Sequence, residues 1–170
     1  MKLVVTIPAF NEEKTIGKVI QEIPQKIPGI TKIGVLVIDD GSSDSTSDVS
    51  RKFGATVIRN TSNRGLAQAF SRGMARALEM GADIIVNTDA DFQYNQAQIP
   101  LLVKPIVDGK SDIVLGSRFR GKIEHMPLHK KLGNQLVSLL MRTITGIPLT
   151  DSQTGFRAFT REVAEKITIN

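Results

Sequence analysis

At 170 residues, 41% apolar and 23% charged, the chain is long enough to bury the core of one domain. It has no cysteine, which excludes disulfides and thiolate metal centres and suits a reducing compartment. No apolar run is long enough to cross a bilayer or to serve as a signal peptide, and His125 and His129 lack zinc-ligand spacing.

The net charge of +5 is unevenly placed. Thirteen basic and thirteen acidic residues cancel up to position 117, whereas nine basic face four acidic residues beyond it. An anionic partner is therefore expected at that end. One tyrosine and no tryptophan supply few platforms for stacking bases, so a phosphate or a membrane surface is expected there, and nucleic acid is not.

In chain order, Leu3–Ile7 opens as a buried strand and runs into Pro8-Ala9-Phe10-Asn11-Glu12. A helix near residues 13–23 follows. Gly34–Ile38 is the second strand and ends in Asp39-Asp40-Gly41-Ser42. Ser45-Thr46-Ser47-Asp48 then reads as a capping box opening a helix over 44–53. Thr56–Ile58 is the third strand and leads through Asn60 to Gly65. The next helix, 64–80, sets Leu66, Phe70, Gly73 and Ala77 at helical spacing as its core stripe, with Arg72 and Arg76 off it. Ile84–Val86 is the fourth strand, running directly into Asp89-Ala90-Asp91. A helix over 96–107 precedes the fifth strand, Ile113–Leu115, which ends in Gly116-Ser117-Arg118-Phe119-Arg120. Beyond it, His129-Lys130-Lys131 heads a helix with Leu132, Leu136, Leu139, Leu140 and Ile147 broadly on one side. That stripe reads either as core packing or as a basic amphipathic surface for a membrane interface. Asp151-Ser152-Gln153-Thr154-Gly155-Phe156-Arg157 closes as a polar cluster. No repeat or linker interrupts the series. Alternating strands and helices imply a mainly parallel sheet with helices on both faces.

In such sheets ligands lie outside the carboxyl ends of the strands, so five loops with unusual polar content converge on one edge. Asp89 and Asp91, with the Gln93 amide two residues on, are hard oxygen donors suited to Mg²⁺ or Mn²⁺. Taken alone, an Asp-x-Asp reads more readily as a polar loop capping the next helix; the other four strand ends favour a ligand site. Of Asp39 and Asp40, one is expected to serve the Asp-Gly turn and the other to accept bonds from a nucleobase or ribose. Pro8 to Glu12 reads as a loop and helix start, or as a wall against base and sugar. Asn63-Arg64-Gly65 puts a cation and free backbone N–H groups at a helix start, where an anion or solvent can meet them. Arg118 and Arg120 offer planar forks suited to phosphate oxygens. Neither a Gly-x-Gly-x-x-Gly nor a Walker lysine is present, which disfavours dinucleotide and P-loop binding.

The order Pro8-Ala9-Phe10-Asn11-Glu12, Val37-Ile38-Asp39-Asp40-Gly41-Ser42, Asp89-Ala90-Asp91, Gly116-Ser117-Arg118-Phe119 and Asp151 to Arg157 resembles family 2 glycosyltransferases. The likeness is strongest to the dolichyl- or polyprenyl-phosphate hexose synthases. It covers essentially the whole chain and implies a GT-A fold in a single catalytic domain over 1–170. It further implies that Asp89, Asp91 and Gln93 hold the divalent ion and, with Ala90, the diphosphate. Pro8, Ala9, Phe10, Glu12, Asp39 and Asp40 would hold the nucleoside, and Arg118 would lie near the acceptor or diphosphate. The expected activity is inverting transfer of a hexose from a nucleoside diphosphate sugar, of the GDP-mannose or UDP-glucose type, to a polyprenyl phosphate. The place would be the cytoplasmic face of a membrane, with the protein peripherally attached. Asp151 is the candidate base should the acceptor be a saccharide hydroxyl. A non-catalytic nucleotide-sugar binding domain is the remaining alternative, disfavoured by a complete metal set; a phosphatase would place its acid pair after the first strand. Two departures stand out. Phe92 replaces the small residue common between the second Asp and Gln in similar sequences. The chain also stops at Asn170 where similar sequences continue, which reads either as a truncation that removes part of the acceptor side or as a minimal enzyme.

Overall fold

The computed structural model describes residues 1–116 and 154–167. Its strands are β1 (Lys2–Ala9), β2 (Lys32–Asp39), β3 (Thr56–Arg59), β4 (Ile84–Asn87), β5 (Ile113–Leu115) and β6 (Arg157–Thr160), forming one sheet in the order β3-β2-β1-β4-β6-β5. β1 to β4 are mutually parallel, and β6 is inserted antiparallel between β4 and β5. The mainly parallel α/β sheet expected from the alternating pattern is thus observed, and β6 is an additional strand.

The helices are α1 (Ile16–Glu22), α2 (Thr46–Lys52), α3 (Leu66–Glu79), α4 (Ile99–Val107), preceded by a 3₁₀ turn at Gln96–Gln98, and α5 (Arg161–Lys166). Alternation along β1 decides which face each covers. Leu3, Val5 and Ile7 pack with Ile16, Val19 and Ile20 of α1 and with Ile99, Leu102, Val103 and Ile106 of α4. Val4 joins Leu36, Ile38 and Ile85 against Ala69, Met74 and Ala77 of α3 and Ala164 of α5. Both faces of β1 are sealed, as a central parallel strand requires. Each fully buried Ile or Leu contributes about 1.5–3 kcal/mol.

Two local expectations are corrected. Leu66 is 68% exposed; the buried stripe of α3 is Ala69, Gly73, Met74 and Ala77, because Leu66 stands in the first turn, beyond the reach of the sheet. Phe70 is half-buried and meets Phe159 edge-on at 6.2 Å. Ser45 makes no side-chain cap bond. Asp44 does this instead, accepting from the Thr46 backbone N–H at 3.0 Å and from the Thr46 hydroxyl. The Ser45 N–H is taken by Glu13 Oε2 at 3.0 Å, so the start of α2 is tied to the β1–α1 loop.

The sheet register aligns the site. Ala9 pairs with Asp39, and Asp39 with Arg59, so three strand ends form one row. Thr6 pairs with Asn87 at the end of β4, which leaves Pro8 past that ladder, where its missing N–H costs no bond.

Candidate active site

The first two loops are fastened to each other. The Asn11 N–H donates to Ser42 Oγ at 2.9 Å, the Glu12 N–H to Thr46 Oγ1 at 2.8 Å and the Ser43 N–H to Asn11 Oδ1 at 2.8 Å. Asn11 adopts the left-handed φ of 56° that this closure needs, a region Asn tolerates better than most residues. Gly41 has φ 80°, and a β-carbon there would lie 2.6 Å from the Ser62 carbonyl carbon. The Asp40-Gly41 turn therefore abuts the β3–α3 loop backbone, and only glycine fits. Pro8 and Ala9 are buried, whereas Phe10 presents a ring that is 44% exposed.

Asp39 and Asp40 are both buried at the edge and both are bonded by the chain itself. Asp39 Oδ1 accepts from the Ser42 N–H at 2.8 Å, Oδ2 accepts from the Ser47 hydroxyl, and Arg59 Nε lies 3.7 Å from Oδ2. Burial pushes its carboxyl up; the bonds from Ser47 and Ser42 and the Arg59 charge outweigh that and hold it below the ordinary carboxylate value. Asp40 accepts from Asn60 Nδ2 at 2.6 Å, from the Arg64 N–H at 3.0 Å and from the Gly65 N–H at 2.8 Å. Both carboxylates therefore brace the loops around them. The free backbone N–H groups expected at the Arg64-Gly65 helix start are in fact spent on Asp40.

The Asp-x-Asp segment follows β4. Asp89 is half-buried, Ala90 buried, Asp91 and Gln93 exposed. The Gln93 N–H donates to Asp91 Oδ1 at 3.0 Å. Between them Phe92 takes φ 65°, packs on the core below and lies under Lys18, whose Nζ is 4.2 Å from the ring centroid. Phe92 thus anchors the turn that carries Asp91 and Gln93.

The antiparallel register of β6 supplies the opposite wall. Asn87 pairs with Arg157, and the same register carried two residues further sets Asp89 against Gly155. A β-carbon on Gly155 would lie 2.4 Å from Asp89 Oδ1, so bare backbone is required there. The Gly155 N–H donates to the Tyr94 hydroxyl at 2.8 Å, Asn87 Nδ2 donates to the Gly155 carbonyl at 2.9 Å, and Tyr94 stacks on Phe156 with centroids 5.3 Å apart. Tyr94 and Asn87 are site-building residues that sequence reasoning missed; the one available signal was that Tyr94 is the only tyrosine of the chain. Gly116 joins the same wall, its N–H donating to the Phe156 carbonyl at 2.8 Å. Ser117, Arg118, Phe119 and Arg120, the basic helix headed by His129-Lys130-Lys131, and Asp151 lie outside the described residues.

The donor chemistry at Asp89, Asp91 and Gln93 fits a hard divalent ion: two carboxylates and an amide on one turn, with a backbone cradle at Gly155 that any side chain would fill. Among the described residues no three acidic or histidine side chains cluster as a metal site. Such an ion would therefore draw its remaining ligands from an amide, water or phosphate oxygens, as Mg²⁺ commonly does.

Comparison with known proteins agrees with this architecture. The family model "Glycosyl transferase family 2" matches residues 4–168. The UDP-N-acetylglucosamine–dolichyl-phosphate N-acetylglucosaminyltransferase of Methanococcus voltae is 32% identical, over 91% of this chain and 68% of that protein. The dolichol-phosphate mannosyltransferase of Pyrococcus furiosus is 33% identical over 100% of this chain and 49% of its own length. Among solved structures, glucosyl-3-phosphoglycerate synthase from Mycobacterium tuberculosis, in complex with Mn²⁺, UDP-glucose and phosphoglyceric acid, superimposes with a TM-score of 0.73 at 26% identity. That match covers 95% of this chain and 57% of the other. The chain thus spans about half to two thirds of the length of these relatives. With its sheet in the GT-A arrangement and the family model matching nearly its whole length, the chain belongs to glycosyl transferase family 2.

Proposed function

We propose that this chain carries the donor side of an inverting hexosyltransferase that uses a nucleoside diphosphate sugar and a polyprenyl phosphate acceptor. The observation that carries the reading is the Asp89–Gly155 juxtaposition, which joins the Asp-x-Asp of β4 to the late Thr154-Gly155-Phe156 segment at the carboxyl edge of the sheet. The relatives named for transfer to dolichyl phosphate support the acceptor class.

In this reading the nucleoside rests on the rigid wall of Pro8, Ala9, Phe10 and Glu12 and on the loops braced by Asp39 and Asp40, with the exposed Phe10 ring against the base. Asp89, Ala90, Asp91 and Gln93 face the diphosphate. A divalent ion held by Asp89, Asp91 and Gln93, Mg²⁺ or Mn²⁺, would offset the charge that develops on the departing nucleoside diphosphate; the Mn²⁺ complex of the solved relative supports divalent metal use. An oxygen of the acceptor phosphate attacks the anomeric carbon from the face opposite the diphosphate, forming the new C–O bond as the old one breaks. A phosphate is already ionised near neutral pH, so no side chain has to remove a proton, and positioning by cations suffices. Arg118 is assigned that positioning role. The excess of basic residues beyond position 117 supports it, as it supports peripheral attachment to the cytoplasmic face of a membrane. Among the described residues no helix is long and apolar enough to cross one.

A hydroxyl acceptor is the second reading, favoured by the phosphoglyceric acid in the complex of the solved relative; Asp151 would then act as base. A transfer assay offering labelled sugar nucleotides with either a polyprenyl phosphate or a simple saccharide decides between them. Product on the lipid phosphate, lost in Arg118→Ala and retained in Asp151→Asn, is the expected result. Transfer to the saccharide alone, abolished by Asp151→Asn, would overturn it.

A further inference from the structure

A polar concavity opens on the same carboxyl edge, beside the outermost strand β3. It encloses about 280 Å³ and is lined by Arg59, Asn60 and Thr61 at the end of β3, by Arg64 in the loop before α3, and by Gln68 and Arg72 on α3. No acidic side chain is among these six. Gln68 and Arg72 are four residues apart on α3, so they lie about 6 Å apart along one side of the helix, and Arg64 stands in the loop that leads into it. Two of the guanidinium groups are held in place. Arg59 Nη2 donates to the Ser42 carbonyl at 2.6 Å, and Arg72 Nη1 donates to the Arg59 carbonyl at 3.2 Å and to Asn60 Oδ1. Each guanidinium has five N–H donors, so both keep donors for a ligand. Among the described residues the Arg64 guanidinium has no hydrogen bond or ion pair.

Three like charges gathered on one concavity repel each other. Asp39, behind the pocket, faces Arg59 alone, which leaves Arg64 and Arg72 without a carboxylate partner among the described residues. An arrangement of planar donor forks, an amide and a hydroxyl matches the tetrahedral oxygens of a phosphoryl group. We propose that this pocket is an accessory oxyanion site for the phosphoryl group of a small soluble molecule.

The sheet order separates it from the donor diphosphate. β3 and β4 stand three strand spacings apart, about 14 Å, so a diphosphate held at Asp89 and Asp91 does not fill this pocket. The volume exceeds that of a lone phosphate and lies just below the range typical of drug-sized ligand pockets, about 300–1,000 Å³, which suits a small phosphorylated compound. The assignment does not depend on the identity of the sugar donor.

Calorimetric titration with inorganic phosphate tests it, in metal-free buffer to silence the Asp-x-Asp site, with chloride balancing ionic strength. Saturable one-to-one binding is expected. Gln68→Glu puts a carboxylate among the arginines and should weaken binding at least about tenfold; Arg64→Gln should weaken it several-fold. Both positions are exposed, and unchanged near-ultraviolet dichroism will show that the variants fold. Phosphate should also raise the melting temperature of the unsubstituted protein, and not that of Gln68→Glu. Absence of saturable heat up to about 20 mM, beyond the range in which a millimolar site saturates, would overturn the proposal. Equal affinity in both variants would do the same. Vesicles containing phosphatidate probe the other source of the same chemistry: binding to them that Gln68→Glu abolishes, with no response to free phosphate, would refute a soluble ligand.

Discussion

Gly155 has no room for a side chain, because a β-carbon would sit 2.4 Å from one Asp89 oxygen and 2.5 Å from the other. Gly155→Ala is therefore expected to displace the Asp89 carboxylate and weaken Mn²⁺-dependent binding of a nucleoside diphosphate by about tenfold, the scale of one lost charge-assisted contact. Asp91→Asn should do the same without altering the fold, since Asp91 is exposed. Calorimetry with and without metal reads both variants; metal-dependent affinity unchanged in each would remove the metal from this turn. Asp39 has a different consequence. Its carboxyl is held below the ordinary 3.8 in the folded chain, so the unfolded chain binds the proton more readily. The stabilisation it provides is complete above about pH 3.8 and is lost as pH falls from there through the folded value. Asp39→Asn should cost about 1–3 kcal/mol at neutral pH, where the bonds from Ser42 and Ser47 lose their charged acceptor. It should also flatten the decline of stability as pH falls below about 3.8. Denaturant melts across that range measure both effects.

At the scale of elements, α3 approaches the sheet through Gly73. A β-carbon there would come 2.8 Å from Ile38 Cδ1 and 3.2 Å from Ile38 Cγ1, and Ile38 is fully buried. Alanine gains about 1 kcal/mol of helix propensity over glycine, whereas overpacking a core costs about 1–3 kcal/mol. The net expectation for Gly73→Ala is a loss on the order of 1 kcal/mol in urea denaturation; a stabilised variant would mean that α3 can move away from β2. The five strands up to Leu115 were legible because each is a short β-branched run ending in polar residues. β6 was not legible. Its Arg157-Ala158-Phe159-Thr160 is short, carries no Val or Ile, and gains its strand conformation from pairing with β4 on one side and β5 on the other. A local signal did exist for α5, where the Thr160 hydroxyl accepts from the Val163 N–H at 3.3 Å as an N-cap.

For the whole molecule, the basic excess beyond residue 117 gives the membrane proposal its test. Vesicles of anionic lipid should bind the protein, each basic residue near the surface contributing about 1 kcal/mol, and added salt should weaken that binding by screening. Lys130→Glu with Lys131→Glu should reduce vesicle binding by at least about tenfold on that scale. Binding indifferent to both salt and charge reversal would leave the basic segment without this role.

The sequence by itself determined the alternating order of the first five strands and four helices. It also placed the polar residues at the strand ends, because burial on both faces imposes apolar runs and leaves chemistry to the loops. Asp89, Asp91 and Gln93 stand out as candidate donors only through their spacing taken together with the other polar strand ends. Only the tertiary structure decided what those residues face. Gly155 stands against Asp89 because an antiparallel strand from the far end of the chain enters between β4 and β5. The loops at Asp39 and Asp40 are braced by Ser42, Ser47, Asn60 and Arg59, contacts made across separate strands. Arg59, Arg64 and Arg72 share one concavity because β3 ends beside the first turns of α3. Local pattern records burial and periodicity; which distant segments meet is set by strand register, and register depends on the packing of the whole sheet.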